Sequence, residues 1–486
     1  MTSLPHRTQE LGLGLSMPVF ARFPRHSALA VIITLLAACG GGGGGGGTEP
    51  SLEVPPAPSV AACGVEAQKE FVLDVAEDWY LWYDEMANVD PGDFPTAEEY
   101  LSALTAPLAE DFRDPGFSFL TTAAEDDASL GSGAFIGFGF RFGIDAEGRY
   151  LISDAYEDGT AFAAGFVRGA ELRAVDRGDG FVTMREYEEQ GLTLEEIFGP
   201  SEEGVRRGFR LGIDDEILEV EIEKTELPVA PVAMAPRRLE RPGLSPVGYV
   251  HLRGFTATAT SELVDLFADL ARDDITDFII DLRYNGGGLV SVAEDFLDLL
   301  GGSIASGEIA YRVRHNEKRS NEDRVVRFTP QSSSVAPLRI AFLTSGATAS
   351  ASETLINSIA PQVEVVLIGS DTLGKAVGQY GFDQRGCETR MRLVAFEIVD
   401  GDGFGGFFTG LADTGRFTLC EVEDSFRGGF GTSDDPLTAS ALAWLNDGVC
   451  GPVVASGAPL SAKGLRRGPF PLAPPHLADR RSLWVQ

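Results

Sequence analysis

Residues 338–368 read LRIAFLTSGATASASETLINSIAPQVEVVLI, and this stretch decides the fold. Leu338 to Leu343 is an apolar run of strand length, Val363 to Ile368 is another, and Ala351 to Ile359 between them has helical spacing. Strands that are apolar on both faces belong in a sheet covered on both sides, and a helix joining them implies parallel pairing. Such a unit returns the ends of its two strands to one edge of the sheet. The connection Thr344-Ser345-Gly346-Ala347-Thr348-Ala349-Ser350 is built of small residues and ends in a serine at the mouth of the helix. A serine there is by itself an N-cap. The same position also presents a hydroxyl where the following amides and the helix dipole favour a developing oxyanion.

The pattern continues on both sides. Gly248 to Phe255 and Phe278-Ile279-Ile280-Asp281-Leu282 read as strands, and Glu262 to Ala271 and Leu289 to Leu300 as helices, so an α/β domain is expected over 229–450. Residues 131–228 differ. A glycine-interleaved apolar strand, Ala134 to Phe140, is followed by Tyr150-Leu151-Ile152, a short helix opened by Gly159 to Gly165, Arg168-Gly169-Ala170-Glu171-Leu172, and a strand from Ile217 to Ile222. Between 63 and 130, Val65, Phe71, Val72, Val75, Trp79, Leu81 and Trp82 recur at helical spacing over 64–86, and a second helix covers Ala97 to Leu108, which together predict a small helical domain. Trp79, Tyr80, Trp82 and Tyr83 are expected to pack on a neighbouring domain. The fold class is therefore α/β multidomain.

The chain has 486 residues, 44% of them hydrophobic, and a formal net charge of −34. That charge repels nucleic acid and anionic membrane surfaces and argues against them as partners. Near the N-terminus, Arg22 and Arg25 precede an apolar run, Ala28 to Ala38, too short to span a bilayer. Leu36-Ala37-Ala38-Cys39, followed by Gly40 to Gly47, resembles a bacterial lipobox, which implies a signal peptide over 1–39, lipidation at Cys39, and the periplasm or cell envelope as location. Residues 40–62 read as a Gly/Pro-rich linker, and 451–486 as a disordered tail. Four cysteines remain, Cys63, Cys387, Cys420 and Cys450. An exported chain would form two disulfides from them, with three possible connectivities; chain position favours Cys387 with Cys420 and Cys63 with Cys450. Their spacing fits no metal motif, and no cofactor is expected.

The 39 basic residues include only five lysines, Lys69, Lys224, Lys318, Lys375 and Lys463. Arginine cannot lose its proton in a protein, whereas a desolvated lysine can. Lys375 stands in Thr372-Leu373-Gly374-Lys375-Ala376-Val377-Gly378-Gln379, directly after the strand that follows the Ser350 helix. Both side chains can therefore reach one cleft at the sheet edge, as a serine nucleophile and a lysine base. Histidine arrangements compete poorly: His251 lies in a predicted core strand, His315 in a charged loop and His476 in the tail.

Ala347 to Glu353 together with Gly374 to Gln379 resembles the signature of the C-terminal processing peptidases, or tail-specific proteases. The resemblance implies Ser350 as nucleophile, Lys375 as base and Gln379 as the residue orienting the lysine. Asp281-Leu282-Arg283-Tyr284-Asn285-Gly286-Gly287-Gly288 matches a second family segment, implying an oxyanion hole from the Ala351 amide and that of Gly286 or Gly287. Asp281 reads as a cap or partner of Arg283 rather than an acid catalyst. The family also implies a crotonase/ClpP-like core and a PDZ-like domain over 131–228, with Ile136, Gly137, Phe138, Gly139 and Phe140 as the loop holding a peptide's terminal carboxylate. Thr348 and Ala376 depart from the family's usual serine and glycine. Two readings follow: a serine endopeptidase acting on polypeptides with exposed C-termini, with any activating partner unspecified, or a catalytically silent PDZ-containing scaffold that binds peptide tails.

Overall fold

The computed structural model describes residues 63–450 apart from 146 and 274. The expected signal peptide, the lipidation site Cys39, the linker to residue 62 and the tail from 451 lie outside the described residues.

The chain begins with helices α1 (Val65–Trp79) and α2 (Ala97–Glu110), strand β1 (Phe119–Thr122) and helix α3 (Ala123–Gly131). There follow β2 (Phe135–Gly137), β3 (Phe140–Ile144), β4 (Tyr150–Ala155), α4 (Thr160–Ala163), β5 (Glu171–Asp176) and β6 (Phe181–Thr183). Then come α5 (Met184–Glu189), α6 (Leu194–Phe198), β7 (Arg206–Ile213), β8 (Glu216–Glu223) and β9 (Thr225–Leu227). The next stretch is β10 (Arg238–Leu239), β11 (Val247–His251), α7 (Ala259–Leu270), β12 (Asp277–Asp281), α8 (Val290–Gly301), β13 (Ile309–His315) and β14 (Arg324–Arg327). The last is β15 (Arg339–Thr344), α9 (Ala351–Ile359), β16 (Glu364–Gly369), β17 (Val377–Asp383), β18 (Thr389–Asp400), β19 (Thr418–Glu421) and α10 (Pro436–Asp447).

The central sheet has the order β10-β11-β12-β15-β16-β19 and is parallel from β11 to β19. Alternate residues of its strands serve two cores. Phe278, Ile280, Ile340, Phe342 and Leu367 face α7, α8 and α9; Ile279, Ala341, Leu343, Val366 and Ile368 face α10. Both faces are covered, which is why these strands are continuously apolar. A second sheet, β1-β18-β13-β14 with β17 on β18, closes over the far side of the helices. Residues 132–228 form a separate antiparallel sheet, β3-β4-β5-β7-β8, with its own phenylalanine-rich core.

The expected helix over 64–86 stops at Trp79, and residues 81–84 form a turn. The 63–130 segment also lacks a core of its own. Val72, Tyr80, Leu101 and Leu104 pack with Met391, Leu393 and Val394 of β18, and β1 pairs with the same strand. Trp79 lies against Tyr380 and Phe382, a packing role for this aromatic. The favoured disulfide pairing is corrected: Cys63 bonds Cys387 and Cys420 bonds Cys450. Docking of α1 on β18 brings Cys63 to the β17–β18 turn, where Gln68 donates to Thr389 at 3.0 Å, and α10 ends beside β19.

Candidate active site

Parallel strands deliver their following loops to one edge of a sheet. Here the loops after β12, β15 and β16 are hydrogen-bonded to one another there. The Leu282 N–H donates to the Leu343 carbonyl (3.0 Å), Ser370 N–H to that of Thr344 (3.2 Å) and Leu373 N–H to that of Thr348 (2.9 Å). The Thr348 hydroxyl donates to the Leu282 carbonyl at 2.9 Å and accepts the Ser345 N–H at 3.0 Å. Thr348 is thus a clamp between two loops, and the Ala376 methyl is buried in the helical core.

Ser350 is the N-cap residue of α9, half-buried, with φ 58° and ψ −116°. A non-glycine residue there costs about 1–3 kcal/mol and persists only where its surroundings hold it. The hold is visible: the Ala349 N–H donates to Asn285 (3.1 Å), the Ser350 N–H to Glu353 Oε2 (2.8 Å), and the Ser352 hydroxyl to Asn285 (3.0 Å). The sharp turn presents the serine at the start of α9.

Lys375 is half-buried on the loop after β16, and its Nζ donates to Gln379 Oε1. The Gln379 Nε2 donates in turn to the Phe117 carbonyl. A carbonyl can only accept, so the amide must turn its nitrogen to Phe117 and its oxygen to the lysine. The Phe117 ring centre lies 5.1 Å from Nζ, an apolar neighbour contributed by the N-terminal segment. Phe117 was missed in the sequence, since nothing local marks a residue 258 positions away from the lysine it touches.

In the 282–288 loop, Gly287 packs directly on the serine turn, where a side chain would meet Ser350 and Ala351. Its N–H donates to Asn285 Oδ1 at 2.9 Å. No hydrogen bond from the Gly286 N–H is formed among the described residues. Asp281 is bound by Arg283 Nε (2.9 Å), Arg283 Nη2 (2.8 Å) and the Tyr249 hydroxyl (2.7 Å), and is fully buried. It is an ion-pair partner, as its sequence suggested. Arg283 continues to Asp435, the N-cap of α10, at 2.6 and 2.8 Å. Tyr284, at φ 64°, bonds Asp424 through its hydroxyl and accepts Arg141 Nη1 at its carbonyl (3.0 Å), so the inserted sheet touches this loop.

The histidines stand elsewhere. His251 is buried against Phe430, and burial holds its imidazole well below its ordinary value. His315 ends a strand rather than occupying a loop, and contacts Asp323 (3.1 Å) and the Tyr380 hydroxyl (3.0 Å). Ile136 and Gly137 belong to β2, which pairs with β9 in a two-stranded sheet of its own, while Phe138 and Gly139 cross to Phe140 at the head of β3 in the inserted sheet. Gly139 has φ +86° and approaches Gly159 closely. β3 is one of the two edge strands of that sheet, paired only with β4 among the described residues. Those residues also contain no group of three or more metal-ligating side chains and no helix long and apolar enough to cross a membrane.

The geometry agrees with what the chain resembles. A family model described as peptidase family S41 matches residues 246–411, and that of the peptidase S41 N-terminal domain matches 67–119. A carboxyl-terminal-processing protease from Synechocystis sp. is 26% identical over 295 residues, 60% of this chain and 63% of that protein. The chloroplastic carboxyl-terminal-processing peptidase 2 of Arabidopsis thaliana is 27% identical over 301 residues, 60% of this chain and 52% of its own length. The chain thus spans less than two thirds of either relative. The crystal structure of a Bacteroides fragilis chain assigned to the S41 proteases superposes with a TM-score of 0.60 at 23% identity, covering 77% of this chain and 97% of that one, a likeness of fold. Residues 246–411 thus match a peptidase family S41 domain, and residues 67–119 match the S41 N-terminal domain that precedes it.

Proposed function

We propose that the protein is a serine endopeptidase of the C-terminal processing type, with Ser350 as nucleophile and Lys375 as general base. The observation that carries the reading is the junction of two stitched loops, one holding Ser350 in a strained turn at a helix start, the other holding the Lys375 amine on Gln379. A lysine base must be neutral to take the serine proton. In this reading the neutral amine donates a hydrogen to Gln379 and turns its lone pair to the serine hydroxyl. Ser350 Oγ attacks the substrate carbonyl carbon as Lys375 accepts its proton. The tetrahedral oxyanion is held by the Ala351 N–H and, because Gly287 gives its own N–H to Asn285, by that of Gly286. Lys375 then protonates the leaving amine, and water hydrolyses the acyl ester by the same route.

The inserted sheet is read as a PDZ-like domain on a crotonase/ClpP-like catalytic core. Its edge strand β3 would take a polypeptide C-terminus as an added strand, with the Ile136–Phe140 loop around the carboxylate. Export and lipid anchoring at Cys39 follow from the N-terminal sequence, and so belong to the same proposal. The test is incubation of purified protein with casein. Fragments that appear with the wild type and vanish with Ser350→Ala support the peptidase; tail binding with no Ser350-dependent fragments favours the silent scaffold.

A further inference from the structure

Glu353 is fully buried in the first turn of α9, yet its carboxylate is used well beyond that helix. Its Oε2 accepts the Ser350 N–H at 2.8 Å and the Lys375 N–H at 2.9 Å; its Oε1 accepts the Gly374 N–H at 2.8 Å. The Thr372 hydroxyl also bonds it. That hydroxyl accepts the Leu411 N–H at 3.0 Å, which leaves its proton to point at Glu353. Of its glutamate side chain a capping box needs only the bond back to the N-cap amide. The bonds to Gly374 and Lys375 join the serine turn to a loop on the far side of the next strand.

We infer that Glu353 is the positioning residue that locks the Ser350 turn and the Lys375 loop into one register, and that it does so as an ionised carboxylate. The inference deepens the peptidase reading above and rests on it. Three N–H donors and one O–H converge on two oxygens, an arrangement a carboxylate can satisfy in full and an amide or a protonated acid cannot. Burial opposes that charge and pushes the Glu353 carboxyl up to about 7 in spite of its four donors. Ionisable residues on the segments hydrogen-bonded to the serine turn and to Thr372 are Lys375 and Asp371 on the same loop, Arg283 on the 282–288 loop, and Asp413 and Arg416 beyond Leu411. Asp371 is turned to the Ala412 and Asp413 amides (2.8 Å each), Arg283 to Asp281 and Asp435, and Arg416 to Asp400. Below about pH 7 the carboxyl takes a proton, one acceptor site is lost, and the two loops are no longer held together.

The experiment is the pH profile of kcat and KM for a fluorogenic peptide substrate, with the wild type, Glu353→Gln and Thr372→Val, and Tm measured on each. The wild type is expected to lose kcat through an ionisation near pH 7, in addition to the one that protonates the Lys375 amine. Glu353→Gln is expected to lower kcat by about 50-fold with KM within about threefold, and to remove that ionisation from the residual activity. Thr372→Val takes away a bond to the carboxylate and is expected to move the limb to higher pH, which decides the matter if Glu353→Gln does not fold. A purely structural cap would lower Tm in both variants and leave the limb in place; that result, or a Glu353→Gln enzyme with wild-type kcat, overturns the inference. A wild type that neither cleaves nor reacts at Ser350 with a fluorophosphonate defeats the peptidase reading itself, and this inference with it.

Discussion

Gly287 packs against Ser350 so closely that a Cβ on Gly287 would stand 2.8 Å from the Ser350 Cβ. It would also lie 2.9 Å from both the Ala349 oxygen and the Ala351 nitrogen, and the glycine has φ +102°. An added methyl must therefore displace the serine turn or its own loop, and pays about 1–2 kcal/mol of backbone strain besides. Gly287→Ala is expected to lower kcat/KM by about 100-fold or more, while Tm falls by only a few degrees. Steady-state kinetics beside a thermal melt separates the two effects; near-normal kcat/KM would show that the turn is not confined.

Arg283, Asp281 and Asp435 form a fully buried ion-pair cluster under the same loop. Removing one member of such a cluster leaves charge uncompensated and costs about 3–5 kcal/mol. Asp435→Ala should therefore destabilise strongly, the more so because Asp435 also caps α10 through the Thr438 amide at 3.1 Å. Denaturant unfolding is the measurement, and a loss under about 1 kcal/mol would mean the cluster relaxes without it.

Lys224 is buried between β8 and β9, donating to the Gly199 carbonyl at 2.8 Å, and desolvation lowers its ammonium from 10.5 to about 8. Between about pH 8 and 10.5 the unfolded chain holds a proton that the folded one has released, so this group makes stability rise with pH across that window. Lys224→Met is expected to remove that contribution. Urea midpoints at pH 8 and pH 10 for both proteins decide it; identical pH slopes would contradict the assignment.

The parallel sheet was legible because its strands are buried on both faces and so are apolar without interruption. Ala351–Ile359 and the ends of β12, β15 and β16 fall within a residue or two of their expected positions. The second sheet was not legible. β18 carries Arg390 and Arg392 among its apolar residues, and its partner β1 lies some 270 positions earlier, in a segment whose helical spacing dominated the reading. Ser350 and Lys375 could be brought together in advance because both follow neighbouring parallel strands. Glu353 carried only the signal of an N-terminal helix acid, and Phe117 and Asp424 act across tertiary contacts that no local pattern encodes. The disulfide pairing failed for the same reason. Lysine scarcity pointed to Lys375, yet Lys69 and Lys224 are the more deeply buried, held by Glu66 and Gly199.

The most direct test of the central claim is casein cleavage by Lys375→Arg, measured beside the wild type and Ser350→Ala. Arginine keeps the positive charge but cannot serve as a base. Activity below about 1% of wild type, with an unchanged melting temperature, is the predicted result. A Lys375→Arg protein that cleaves casein at the wild-type rate in a Ser350-dependent manner would contradict the assignment of Lys375 as the base.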